Sequence, residues 1–269
     1  MIGDSRSLAA LRHIARAPEV IRCAREVAEW RKVTAAYLGI GKFPFPSEIH
    51  LRDGNQFRLA ELYDIETLWQ IYFHRVYEVR PTDRVVIDAG ANIGLFSCWA
   101  ARVARHATIY ALEPAPATFE RLKRHVSVNG LTNRVKCFQA AVAGQPGRLM
   151  MSTSRSASQM FRLLAPGEKV PESAVDVEVM TLRDFFDKVL ADSKAGRIDL
   201  LKMDIEGSEY ETLTSDRLEI VDRIQLEYHK TEASSVYSRA KLMQHLEGRG
   251  FRLTRHRGDD DYGMLWYGR

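Results

Sequence analysis

Cysteine is scarce. The three in the sequence, Cys23, Cys98 and Cys137, are far apart and odd in number. That excludes a disulfide framework and any metal or redox spacing of the Cys-x-x-Cys type, so reduced thiols in a cytoplasmic protein are the expectation. Long apolar runs are missing too. No segment reaches the roughly 18 apolar residues that a membrane helix needs. The N-terminal region carries Arg6, Arg12 and Arg16 but no apolar stretch of secretory-signal length. There is no block of one charge sign either: the net charge is +4, with acidic and basic residues mixed throughout. A track for nucleic acid is therefore not expected, although a modest attraction to anionic substrates or membrane surfaces remains open.

What is present centres on residues 85–94. The apolar run Val85, Val86, Ile87 ends at Asp88, followed by Gly90, Asn92, Gly94 and an apolar stretch to Val103. This predicts a buried parallel strand, a tight turn and a helix. Ligands of open α/β sheets bind at that position, beyond the carboxyl ends of the strands, where helix N–H groups face the crevice. A pyrophosphate fingerprint Gly-x-Gly-x-x-Gly would need glycine at 92 and 95, where the chain has Asn92 and Leu95. A second strand, Thr108 to Leu112, ends in Glu113-Pro114, and Glu113 follows Asp88 by 25 positions, about the offset of a ribose-binding acid. These signs favour a nucleoside over a pyrophosphate, and the combination resembles an S-adenosylmethionine site. An ordinary strand-turn-helix is the alternative.

The remainder divides into an N-terminal appendage, 1–80, and an α/β domain, 81–269. Apolar residues at helical spacing predict helices over 7–38, with Pro18 near the start of the second. Their arginines read as a solvated face, with a membrane-surface helix as the sharper alternative. Asp53-Gly54 predicts a β-hairpin joining 48–52 to 56–59, and 64–77 an amphipathic helix. Beyond 84, βα alternation predicts a helix from Pro116 closed by Gly130, a third strand over 135–142 and an added strand over 148–152. The stretch 152–173 reads as a mobile loop and candidate lid. An edge strand over 175–179 and a helix from Leu182 to Leu190 follow. Next come strands ending near 206 and 229, a helix from Ser238 closed by Gly248, and two final antiparallel strands.

Alternation places Lys202, Asp204 and Glu206 on one face of the fourth strand, and Gln225, Glu227 and His229 on one face of the fifth. A dry core does not accommodate six polar groups. The bland reading is a buried ion-pair network, Lys202 with Glu227 for instance. The sharper reading is a polar pocket in which His229, with a reference pKa near ~6.5, acts as base, and Asp204 and Glu206 orient an acceptor. Asp204, Glu206 and His229 suit a divalent ion in principle, but Lys202 nearby argues against a dense metal site, and no metal is expected.

The motifs Ile-Asp-Ala-Gly-Ala-Asn-Ile-Gly (87–94), Leu-Glu-Pro (112–114), Asn129-Gly130, Ala141-Val142, Leu-Leu-Lys-Met-Asp-Ile-Glu-Gly-Ser-Glu (200–209) and Glu-x-His (227–229) resemble the FkbM family of methyltransferases over about 85–230. The resemblance implies the class I methyltransferase fold: a Rossmann-like, mostly parallel seven-stranded sheet with its last strand antiparallel. It implies S-adenosylmethionine as donor and O-methylation of a sugar, polyketide or related small molecule. The donor site is expected at Asp88, Gly90, Asn92, Gly94, Glu113, Pro114, Ala141 and Asp204, with His229, Asp204 and Glu206 catalytic. One departure is Arg183 where the family has Asp after Thr-Leu, with Asp184 as a substitute. A nicotinamide-dependent oxidoreductase and a non-catalytic nucleoside-binding module are the competing readings. The missing pyrophosphate glycines count against the first and the polar strand faces against the second.

Overall fold

Val85 to Ala89 are buried without exception because the strand they form, β3 (Val85–Ala89), lies inside a sheet covered on both faces. The computed structural model describes residues 16–153, 162–164, 167–213, 217–229 and 238–269. The chain forms two compact units, Met1–Glu78 and Val79–Arg269.

In the first unit, α1 (Ala17–Glu26) starts with Pro18 in its first turn, where a missing N–H costs nothing. Residues 7–15 of the expected first helix lie outside the described residues. The periodicity over 20–37 does not make one continuous helix. Val27 leaves helical geometry to form an antiparallel bridge with Leu51, and α2 (Trp30–Tyr37) starts afresh. Ala28 N–H and Arg52 N–H complete the junction, donating to His50 and Glu26 carbonyls at 2.9 and 2.7 Å. β1 (Ser47–His50) and β2 (Gln56–Leu59) form the expected hairpin. α3 (Leu62–Leu68) widens into a π-helical turn, Trp69–His74, and stops at Arg75 in left-handed geometry, short of the expected end at 77.

The second unit contains β3, α4 (Leu95–Val103), β4 (Thr108–Leu112), α5 (Pro116–Val128) and β5 (Val135–Phe138). After these come β6 (Ala141–Val142), β7 (Gly147–Ser152), β8 (Arg162–Leu163), β9 (Val175–Met180) and α6 (Leu182–Ser193). β10 (Leu200–Met203), α7 (Glu209–Leu213), β11 (Arg223–His229), α8 (Arg239–Gly248), β12 (Arg252–Gly258) and β13 (Tyr262–Gly268) complete it. Seven strands pair in the order β12-β13-β11-β10-β3-β4-β5. All neighbours are parallel except β13, which runs antiparallel to both β11 and β12. This is the class I methyltransferase topology. One face of the sheet carries Ile87, Tyr110, Leu201, Met203, Ile224 and Leu226, packed with Phe185 and Val189 of α6 and Leu242 and Leu246 of α8. By alternation the opposite face carries Asp88, Lys202 and Gln225, which are direct cross-strand neighbours.

Four local expectations are corrected. The third strand does not run to 142: it leaves the main sheet after Phe138, and Ala141–Val142 joins a second sheet, β6-β9-β7-β8. Within that sheet β9 lies inside, between β6 and β7, rather than at an edge. Its alternation arises because Val177 and Val179 are buried while Asp176 and Glu178 face solvent, a pattern that a half-covered interior strand shares with an edge. The stretch 152–173 is not wholly loop, since Arg162–Leu163 pairs with Met151–Ser152; its residues 154–161 and 165–166 lie outside the described residues. α8 runs through Gly248, and the left-handed residue behind it is Gly250. Thr181 caps α6, accepting from the N–H of Asp184 at 3.1 Å, so Asp184 serves there as a capping partner. Among the described residues no helix is long and apolar enough to cross a membrane.

Candidate functional site

β3 ends at Ala89 and the chain turns through Gly90 at φ +76°. A Cβ at Gly90 would lie 1.7 Å from the carbonyl oxygen of Asp204, so only glycine lets the loop lie against the end of β10. The next left-handed residue is Asn92, a type that tolerates this geometry. Its N–H donates to Glu113 Oε2, and the Ala115 N–H donates to Oε1, both at 2.9 Å. Each carboxylate oxygen keeps a further accepting direction. Burial pushes the Glu113 carboxyl up to about 7, against those two bonds, which lower it.

An open cleft lies over this loop. Gly90, Asn92, Glu113, Pro114, Ala141 and Asp204, all predicted from sequence, line it together with Glu206. Met151 and Leu163 of the second sheet form an apolar wall. Two predicted donor residues stand elsewhere. Gly94 opens α4, and a Cβ there would meet Leu122 Cδ1 at 2.6 Å, so its smallness serves helix packing. Asp88 is fully buried beneath the loop. Its Oδ1 lies 3.0 Å from Lys202 Nζ, and Ser97 Oγ donates to its Oδ2 at 2.6 Å. Lys202 therefore forms its ion pair with Asp88 rather than with Glu227, and it also donates to the Gly90 carbonyl at 2.7 Å. Burial disfavours the Lys202 charge, but Asp88 and Asp204 outweigh it and raise the pKa above the ordinary lysine value.

At the far end of the cleft the chemistry is acidic. β10 ends at Met203, so alternation does not reach Asp204 and Glu206. They arrive by a turn, with the Asp204 N–H donating to the Ala89 carbonyl at 3.0 Å and Glu206 at φ +53°. Among the described residues the Asp204 carboxylate has no hydrogen bond. His229, the last residue of β11, sits with Nδ1 3.0 Å from Glu209 Oε1. Its Nε2 lies 3.8 Å from both Glu206 Oε2 and Glu227 Oε1. Tyr262 donates its hydroxyl to Glu227. Sequence reasoning did not single out Glu209 or Tyr262, although Glu209 closes the run 200–209.

Burial opposes a charge on His229, but the bond to Glu209 and the charges of Glu209, Asp204 and Glu206 overcome it and push the imidazole up to about 10. These acids favour the protonated ring, against the expectation of a base with a reference pKa near ~6.5. Burial, with crowding by neighbouring acids, pushes Glu206 up to about 8 and Glu227 to about 7.

The Methyltransferase FkbM domain model matches residues 88–253. Methyltransferase sdnD of Sordaria araneosa is 31% identical over 228 residues, covering 73% of this chain and 86% of the relative. The 31-O-demethyl-FK506 methyltransferase FkbM of Streptomyces tacrolimicus is 29% identical over 167 residues, 53% of this chain and 62% of the relative. Among solved structures, fibrillarin of Aeropyrum pernix with natively bound S-adenosyl-L-methionine aligns with a TM-score of 0.43 at 14% identity, covering 71% of this chain and 68% of that one.

Proposed function

The chain belongs to the FkbM family of methyltransferases and takes S-adenosylmethionine as its methyl donor, and from that membership we propose that it methylates a hydroxyl oxygen of a small-molecule acceptor of the sugar or polyketide kind. The observation that carries this reading is Asp204: it lines the donor cleft, its main-chain carbonyl lies against Gly90, and its carboxylate has no hydrogen bond among the described residues, so the carboxylate can accept from an acceptor hydroxyl. The Streptomyces relative, whose name specifies 31-O-demethyl-FK506, supports transfer to an oxygen. Clustered carboxylates also suit a nucleic-acid backbone poorly, since phosphates would meet like charge.

When bound, the donor would supply a sulfonium methyl to the acceptor oxygen, with the methyl–sulfur bond breaking to leave S-adenosylhomocysteine. The residues supply position. Glu113 offers its free accepting directions to ribose hydroxyls, with Gly90, Asn92, Pro114 and Ala141 forming the surface around the nucleoside. Asp88 and Gly94 act from beneath, holding the loop. Asp204 receives the acceptor proton, helped by Glu206, while His229 is a positioning residue whose charge, held by Glu209, keeps the surrounding acids in place. In-line alignment supplies much of the rate in such a transfer. Residues 81–269 contain all of this apparatus, with 1–80 as an appendage.

The test is an acceptor panel with label in the donor methyl group: label on oxygen of a sugar or polyketide is expected, and transfer confined to amines, carbon or RNA would refute the reading. For the donor site, Glu113→Ala is expected to weaken S-adenosylhomocysteine binding by roughly 1.5–3 kcal/mol, the range for bonds to a charged group. Calorimetry checks this, and unchanged affinity in a folded variant removes Glu113 from the site. Because the carboxyl titrates at about 7 and hydroxyls bind its ionised form, affinity in the parent should rise as pH increases through 7 and flatten above it.

A further inference from the structure

The acidic end of the cleft contains a metal-ligand set that overlaps the reaction above at Asp204 and His229 and adds Glu227. One ligand atom each from Asp204, Glu227 and His229 lie within 4.8 Å of one another. The imidazole is already turned for coordination: Nδ1 is held by Glu209, and Nε2 faces Glu206 and Glu227 at 3.8 Å, too far for a hydrogen bond to either. A carboxylate behind the far ring nitrogen is the arrangement that orients metal-bound histidines. That carboxylate supplies an independent observation. Glu209 is fully buried, and its second oxygen, Oε2, has no hydrogen-bond partner among the described residues. Four carboxylates, those of Asp204, Glu206, Glu209 and Glu227, thus gather about one imidazole. Lys202, which from sequence argued against a metal, is committed to Asp88 at 3.0 Å.

We propose that Asp204, Glu227 and His229 bind one divalent cation, with Glu209 orienting His229 from behind. Coordination requires His229 to release the proton that its acidic neighbours otherwise hold on it; two carboxylates then balance a 2+ ion, and the mixed oxygen and nitrogen set suits Mn²⁺, Mg²⁺ or Zn²⁺. Three protein ligands leave further positions open. Building on the hydroxyl acceptor proposed above, these positions take acceptor oxygens, which favours substrates with two neighbouring oxygen atoms.

Mn²⁺ binding followed by electron paramagnetic resonance, with S-adenosylhomocysteine bound, tests the site. The parent should hold one Mn²⁺ per chain, displaced by Mg²⁺ or Zn²⁺. Glu209→Gln should weaken it about 10–100-fold, the range for a group that orients a metal ligand, and Glu227→Gln and His229→Ala at least as much. S-adenosylhomocysteine affinity, measured on each variant, shows that the fold is intact. A parent that immobilises no Mn²⁺ at millimolar concentration, or variants that all bind as the parent does, would overturn the proposal. Methyl transfer surviving in chelator-treated enzyme would then leave the hydroxyl-acceptor reading standing without the metal.

Discussion

Replacing Asp204 by asparagine should lower turnover by about 10²–10⁴-fold, the range for loss of a positioned proton-transfer group. Asparagine keeps the shape and the backbone contacts to Gly90 and Ala89, so S-adenosylhomocysteine affinity should change little. What disappears is a carboxylate that lines the cleft without a hydrogen bond among the described residues. The effect belongs in kcat, because the interaction strengthens as the acceptor proton is released. The pH profile adds a second check. With His229 already charged through the neutral range, activity should not follow an imidazole titration near 6.5. A folded Asp204→Asn enzyme within tenfold of the parent would leave positioning as the whole mechanism.

Lys202→Met is expected to destabilise the second unit by about 3–5 kcal/mol, the cost of removing one partner from a buried ion pair. Lys202 and Asp88 are 4% and 0% exposed. Methionine fills the space of the lysine stem but leaves Asp88 with Ser97 alone and frees the Gly90 carbonyl. The melting temperature should fall on the order of 10 °C for a unit of this size. The double variant Lys202→Met, Asp88→Leu should recover part of the loss, since apolar replacement of both partners removes the stranded charge. Denaturation within about 1 kcal/mol of the parent for the single variant would show that water or another group compensates Asp88.

Much of this could be read from the chain because local signals and tertiary structure agree. The apolar strand before Gly90, the helix after Gly94 and the acid at Glu113 follow from periodicity and turn chemistry, and the structure places them as expected. Alternation also identified the polar sheet face at Lys202 and Gln225, but not Asp204 and Glu206, which lie past the end of β10. It failed where a partner depends on cross-strand register. Lys202 lies opposite Asp88 on one side and Gln225 on the other, and nothing within either strand reveals which neighbour matters. Glu209 was missed because it lies past a turn in a five-residue helix, where neither a strand nor a helix period links it to His229. Tyr262 comes from the last strand, brought beside His229 only by antiparallel pairing of β11 with β13. The neutral reading of His229 met a related obstacle: the acids that favour its charge, Asp204, Glu206 and Glu209, lie past the end of β10, where no strand period links them to β11.

The contact between Gly90 and Asp204 has a mechanical consequence. The donor loop touches the Asp204 carbonyl, the Asp204 N–H holds the Ala89 carbonyl, and Lys202 grips the Gly90 carbonyl. The two sides of the reaction are thus clamped as one block, and the span from donor to acceptor behaves as a fixed gauge. A new substrate cannot be accommodated by stretching it. Drift in substrate preference must instead be absorbed by surfaces outside the clamp, such as Met151 and Leu163 on the separate four-stranded sheet. Exchanging that sheet between relatives should retune selectivity while the spacing that sets the rate stays put.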